Sequence, residues 1–346
     1  MRWWWKAFVD VLFFPGLGGS VLNHEHSHHQ IWPPSFYQFG SVWNSMKIIT
    51  HSQQWNTSLS HEPFSFQPLV TGKIGDPYAV PHRIFHQDCY GSFLHQFQLR
   101  YGPTDHIRLH VVPYDFRLIH VPSYRQGFFD RVRQKILQCP NKIILLSHSL
   151  GGLVVHSFLH SPGAQTLPSN RVQWIAVTPP FSGSIESLQA LQNPLFSHSI
   201  VHFGGFLRCL PNLHIEHGNL WRDRHRKIPL DSMSEFLSLV PQLDSRVLSE
   251  FVEPDMKQIL RPPTVPLLVV YGNASTSTLV SYCFTSKTFE TGPGDGTVSV
   301  QSATSVPLLW QPHTPVTLHP IQARHGSILA HADFFSLLDP LLITLK

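Results

Sequence analysis

Charge is scarce in this chain: Asp, Glu, Lys and Arg together make up 13% of its 346 residues. A surface so poor in ions must be built from loops and apolar patches, which suits contact with lipid. Nucleic acid is not expected as a partner. The formal charge is only +4, and the densest basic run, Arg222 to Lys227, is broken by Asp223 and holds no aromatic residue for base stacking. Cysteine is sparse too. Cys89, Cys139, Cys209 and Cys283 stand far apart with no Cys-x-x-Cys pair, which argues against a zinc ribbon or a dense disulfide scaffold. No run reaches eighteen uninterrupted apolar residues, so no transmembrane helix is expected. Arg2 and Lys6 flank an apolar start in the manner of a signal peptide. Asp10 interrupts that run, however, and the run leads straight into Pro15-Gly16-Leu17-Gly18-Gly19, so the segment reads as a first strand rather than a leader.

What the chain does have is a 42% hydrophobic content arranged in short, nearly continuous blocks. Ala7 to Phe14, Ile107 to Pro113, Lys142 to Ser147, Val172 to Thr178 and Val265 to Tyr271 read as strands buried on both faces, the pattern of a parallel sheet. Phe93 with Phe97, and Phe128, Val132 and Ile136, recur at helical spacing between them. The alternation predicts an α/β fold, a mostly parallel sheet with helices on both faces. Two stretches break it. Residues 24–80 are crowded with His, Ser, Pro and Trp and read as a lid-like insertion. Residues 182–263, with a helical piece from Ser232 to Val240, read as a cap insertion, all within one domain spanning 1–346.

The chemistry concentrates at Lys142 to Val155. There a strand runs into Ser147-His148-Ser149-Leu150-Gly151 and then into an apolar helix, the layout of a nucleophile elbow. Such a turn needs small residues two before and two after the serine, a demand that Ser147 and Gly151 meet. A serine needs a histidine to take its proton and a carboxylate to hold that histidine, here in the chain order serine, acid, histidine. Asp295, in Gly292-Pro293-Gly294-Asp295-Gly296, is the expected acid on the loop after the Val265 strand. His325, after a last strand near Val316 to His319, is the expected base, with His331 its nearest rival among 24 histidines. A plain Asp-Gly turn is the structural alternative for Asp295. The oxyanion of an acyl-transfer intermediate needs backbone donors, and the N–H groups of Leu150 and of Leu17 in the early glycine-rich loop are placed to serve.

These pieces, with Ile31-Trp32-Pro33, Pro113-Tyr114-Asp115-Phe116-Arg117, Thr178-Pro179-Pro180-Phe181-Ser182-Gly183-Ser184 and Gly294-Asp295-Gly296-Thr297-Val298, make the chain resemble the lecithin:cholesterol acyltransferase-like lipases. That group includes lysosomal phospholipase A2 and phospholipid:diacylglycerol acyltransferases. The resemblance runs from Gly16 to Leu329 and implies an α/β-hydrolase that cleaves or transfers fatty acyl esters. It also implies that Tyr114 to Arg117 packs beneath the site in a structural role. Two departures stand out. The animal members close their lid with a disulfide, whereas residues 20–80 here lack cysteine, and the usual tryptophan of the Tyr-Asp-Trp-Arg motif is Phe116.

The sequence therefore predicts a lipid ester as substrate and contact with a lipid surface, and it points to no cofactor, no metal and no obligate protein partner. Trp32, Trp43 and Trp55 are the expected substrate contacts. Trp3, Trp4 and Trp5 fit either a membrane interface or the cover of a sheet edge. The histidines at 24, 26, 28 and 29 could bind zinc or copper, but their spacing fits a solvated run equally. Two further readings remain open: an inactive lipid-binding relative, and a hydrolase of soluble esters.

Overall fold

The computed structural model describes residues 8–34, 46, 48–50, 64–66, 69–84, 87–192, 200–215, 220–223, 225, 228–230, 232–241 and 243–343. Eight strands organise the site: β1 (Val9–Phe14), β2 (Ile107–Val111), β3 (Lys142–His148), β4 (Val172–Val177), β5 (Leu267–Gly272), β6 (Ser275–Cys283), β7 (Thr288–Gly294) and β8 (Val316–Ile321). Six of them form one sheet in the order β8-β5-β4-β3-β1-β2. Every neighbouring pair is parallel. The continuous apolar runs are explained by this arrangement, because β1 is buried at all six positions and β3 at all but its first.

Helices α1 (Gly91–Tyr101), α2 (Pro122–Gln138), α3 (Leu150–Leu159), α4 (Ile185–Leu191), α5 (Val300–Trp310) and α6 (Ala332–Ile343) surround the sheet. Alternate residues of β1 divide between the two sides. Val9, Val11 and Phe13 pack with Phe93 and Phe97 of α1 and with Phe334 and Phe335 of α6. Leu12 and Phe14 pack with Phe128, Val132 and Ile136 of α2 and with the apolar face of α3. The expected helical stripes at Phe93/Phe97 and Phe128/Val132/Ile136 are thus the buried faces of α1 and α2. Ser232 caps the short helix Met233–Leu239 by accepting from the Glu235 N–H at 3.2 Å.

Asp10, which breaks the apolar run of β1, is fully buried and paired across to β2. Arg108 Nη2 donates to its Oδ2 at 2.9 Å and His110 Nε2 lies 2.7 Å from its Oδ1. Burial alone would raise the carboxyl pKa, but the hydrogen bonds from His110 and Arg108 and their charges reverse the effect and hold it below the ordinary range. Cys139, at the end of α2, brings a third potential ligand atom within 4.8 Å of those of Asp10 and His110. Asp10 already has two partners there. Among the described residues the histidines of 24–29 form no comparable cluster.

One expectation needs correcting. The loop carrying Asp295 does not follow β5 directly, because the antiparallel hairpin β6–β7 intervenes and Asp295 leaves the end of β7. No described helix is long and apolar enough to cross a membrane. The four cysteines are free thiols. Trp3, Trp4, Trp5, Trp43 and Trp55 lie outside the described residues.

Candidate active site

Ser149 sits between the last residue of β3 and the first of α3, with φ 54° and ψ −127°. A positive φ is strained for a residue with a Cβ, on the order of 1–3 kcal/mol, and persists only where surrounding packing enforces it. Gly151 supplies that packing: a Cβ there would stand 2.3 Å from the Phe14 carbonyl oxygen, so only glycine lets α3 press against the end of β1. The same close fit brings the loop after β1 over the serine. A Cβ on Gly16 would meet Ser149 Cβ at 2.9 Å and Ser149 Oγ at 3.4 Å. Ser147 does more than stay small, since its hydroxyl accepts a 2.8 Å bond from Trp174 Nε1 on β4.

Asp295 and His325 meet at the edge of the same region. His325 Nδ1 lies 2.7 Å from Asp295 Oδ2, while Asp295 Oδ1 accepts from the N–H groups of Thr297 at 2.8 Å and Val298 at 2.7 Å. The His325 N–H donates to the Asp295 carbonyl at 3.0 Å, which ties the two loops by backbone as well. Burial would raise the Asp295 pKa. The His325 charge and hydrogen bond, with the two backbone donors, outweigh it and keep the carboxyl low and ionised at neutral pH. The rival His331 is elsewhere, a third exposed and beside Asp333 at 3.6 Å.

Ser149 and His325 line one cavity of about 430 Å³, together with Leu17, Gly18, Trp32, Phe116, Phe203 and Phe206. Trp32 is fixed there by donating from Nε1 to the Gly18 carbonyl at 2.7 Å, and it meets Phe116 edge-on. Phe116 therefore forms part of the wall, beyond the structural role expected of its motif. Its neighbours do support the site from beneath: Tyr114 donates to the Pro15 carbonyl at 2.7 Å, and the Arg117 guanidinium pairs with Asp115, both fully buried. Of residues 24–80, Trp32 and Met46 line the cavity; of residues 182–263, α4 and the segment from Ile200 to Cys209 do. Glu186 is the one carboxylate among the described lining residues, with its pKa raised by burial.

Two neighbours of the elbow were not legible in the sequence. Tyr90 and His148 stand directly behind Gly16, with Tyr90 Oη 3.0 Å from His148 Nδ1 and the Gly16 N–H donating to that same oxygen at 2.8 Å. The position of His148 inside the elbow was the one signal that could have found it.

A parallel six-stranded sheet flanked by helices, with a serine on a strained turn at the end of a central strand, is the α/β-hydrolase fold. Residues 98–195, which span the elbow, match the family model for lecithin:cholesterol acyltransferase. Among solved structures, a chain of the Tle4–Tli4 complex is similar with a TM-score of 0.51 at 13% identity, over 94% of this chain and 96% of that one, which speaks to fold alone. Bacillus licheniformis lipase BlEst2 is similar at a TM-score of 0.39 and 13% identity, over 97% of this chain and 92% of that one. Phospholipase PlaB from Legionella pneumophila is similar at 0.32 and 13%, over 62% and 42%. No curated protein sequence matches the chain.

Proposed function

We propose that the protein is a serine-dependent lipid acyl-ester hydrolase or O-acyltransferase working through an acyl-enzyme. The hydrolase fold and the family match support lipid-ester hydrolysis. The observation that carries the finer reading is the sharing of one apolar cavity by Ser149 and an Asp295-bound His325. In this reading Ser149 Oγ attacks the ester carbonyl carbon as its proton passes to His325 Nε2. Asp295 holds the imidazole in the tautomer that leaves Nε2 free to accept, and stabilises the imidazolium that forms. The N–H groups of Leu17 and Leu150 stabilise the oxyanion; Leu150, as the first residue of α3, has no intrahelical acceptor for its N–H. Collapse of the intermediate breaks the ester C–O bond, and the leaving alkoxide takes the proton from Nε2. Water or a second alcohol then gives its proton to Nε2 and attacks the acyl carbon, and the bond from that carbon to Ser149 Oγ breaks as Oγ takes the proton back from Nε2.

The cavity wall favours a long acyl chain. At about 0.8 kcal/mol per buried methylene, eight methylenes would contribute ~6 kcal/mol, more than the ester's own polar contacts. Residues 24–80 and 182–263 act as lid and cap in this reading, with Trp32, Trp43 and Trp55 as substrate contacts and the ester presented at a lipid surface. Replacing Ser149 with Ala tests the proposal: ester turnover should fall by about 10⁴-fold or more with the fold intact, and near-normal turnover would contradict it.

A further inference from the structure

The hydrogen bonds behind the elbow admit only one assignment of protons. His148 Nε2 lies 3.1 Å from the His325 carbonyl oxygen, which can only accept, so Nε2 carries the hydrogen. A neutral ring then has a lone pair on Nδ1, and the Tyr90 hydroxyl must donate to it at 3.0 Å. The Tyr90 oxygen in turn accepts the Gly16 N–H at 2.8 Å. A charged ring would have a hydrogen on Nδ1 and lose the Tyr90 donation; burial opposes that form and lowers the His148 pKa to about 3. The result is a directed chain: Gly16 N–H to Tyr90 Oη, Tyr90 O–H to His148 Nδ1, His148 Nε2–H to the His325 carbonyl.

Its ends are the two loops that the reaction would need to keep in register. Gly16 directly precedes Leu17, the oxyanion donor in that reading, and its own N–H is committed to Tyr90, so the chain anchors the loop one residue before the donor. His325 is the candidate base, and its backbone is gripped from both sides, its N–H by Asp295 and its carbonyl by His148. The middle of the chain is held rigid. Tyr90 is 4% exposed, with its ring edge-on to Phe13 at 5.1 Å and to His148 at 5.7 Å. His148 lies against the His325 ring at 4.8 Å.

We propose that Tyr90 and His148 are positioning residues which lock the oxyanion loop to the loop carrying the base, an inference that rests on the Ser149–Asp295–His325 reading above. Neither would touch the substrate. They would act by fixing the Leu17 N–H and the His325 imidazole relative to each other around Ser149, so their loss should be felt where charge develops rather than where substrate binds. Removing a direct oxyanion donor costs ~10²–10³ in turnover, and loosening one by removing its support should cost less.

The test uses the full chain, a dissolved short-chain ester and a trifluoromethyl ketone, which adds the serine and carries a tetrahedral oxyanion. Tyr90→Phe should lower kcat by about 10–10²-fold and weaken the ketone by the same factor, with KM changed less than twofold. His148→Gln, which can still reach the His325 carbonyl with an N–H but leaves the Tyr90 hydroxyl without its acceptor, should lose kcat and ketone affinity in the same proportion. A purely structural role would instead lower Tm and move kcat, KM and ketone affinity without that pattern. Wild-type kcat and ketone affinity in Tyr90→Phe, or loss only in step with a fall in Tm, would overturn the proposal. Mapping a fluorophosphonate adduct to Ser149 in the unmodified protein separates the two levels: an adduct with unaffected variants sinks this inference alone, whereas no adduct sinks the triad reading and this inference with it.

Discussion

His325 Nδ1 stands 2.7 Å from Asp295 Oδ2, and the second oxygen of that carboxylate is occupied by the N–H groups of Thr297 and Val298. The carboxylate is therefore held in one orientation whatever the histidine does. Asp295→Asn keeps the shape but presents an amide that can favour the wrong imidazole tautomer. Turnover should fall by about 10³–10⁴-fold with an unchanged Tm, and full activity would send the search to another carboxylate.

His325→Ala should damage turnover about as much as Ser149→Ala, because residues acting as a unit do not contribute additively. The double variant should be no worse than either single one. His331→Ala, removed from the cavity, should stay within a few-fold of wild type; an inactive His331 variant beside an active His325 one would reverse the assignment.

Gly16→Ala adds a methyl 2.9 Å from Ser149 Cβ, closer than real contacts allow. The loop or the nucleophile must shift, and a displacement near 1 Å can cost about 10²-fold in rate. Circular dichroism should report a folded protein with that loss. Wild-type activity would mean that the loop sits farther from the serine.

These sites differ in how far the sequence disclosed them. The four inner strands were legible because burial on both faces demands unbroken apolar runs, and the elbow because its small residues answer a local steric need; the edge strands β2 and β8 are only partly buried, so β2 is not the doubly buried strand expected and β8 was marked by its place before His325. The β6–β7 hairpin was not: its Ser275-Thr276-Ser277 start and its Pro293 and glycines near Asp295 resemble a loop, and its residues are largely half-buried or exposed. Ser147 looked like a mere stand-in for glycine because its partner, Trp174, is 27 residues away. Tyr90 was invisible for the same reason, since it joins Gly16 and His148 across 74 and 58 residues with nothing periodic to mark it.

Asp10 links stability to pH. Its carboxyl is depressed in the folded state, so its contribution is present above the unfolded value of about 3.9 and is lost as pH falls through the lower folded value. Asp10→Asn should cost about 2–3 kcal/mol at pH 7, below the ~3–5 of a fully buried broken pair because Arg108 is half exposed. The gap between the two unfolding curves should narrow as pH drops below about 4. A gap independent of pH would show that the pairing does not carry the effect.

Phe203 tests the acyl-chain reading of the cavity. Phe203→Trp should fill part of its volume and lower kcat/KM about tenfold on a long-chain ester, the equivalent of one or two buried methylenes, while leaving an acetyl ester nearly unchanged. Equal loss on both substrates would place the acyl chain elsewhere.

The central claim is that Ser149 is a nucleophile activated by His325, and covalent labelling with a fluorophosphonate followed by peptide mass mapping addresses it directly. The account predicts a single adduct, on the peptide carrying Ser149, formed by the wild-type protein and lost or strongly slowed in His325→Ala. An unlabelled wild-type protein, an adduct on a different serine, or labelling of Ser149 that is indifferent to His325 would contradict it.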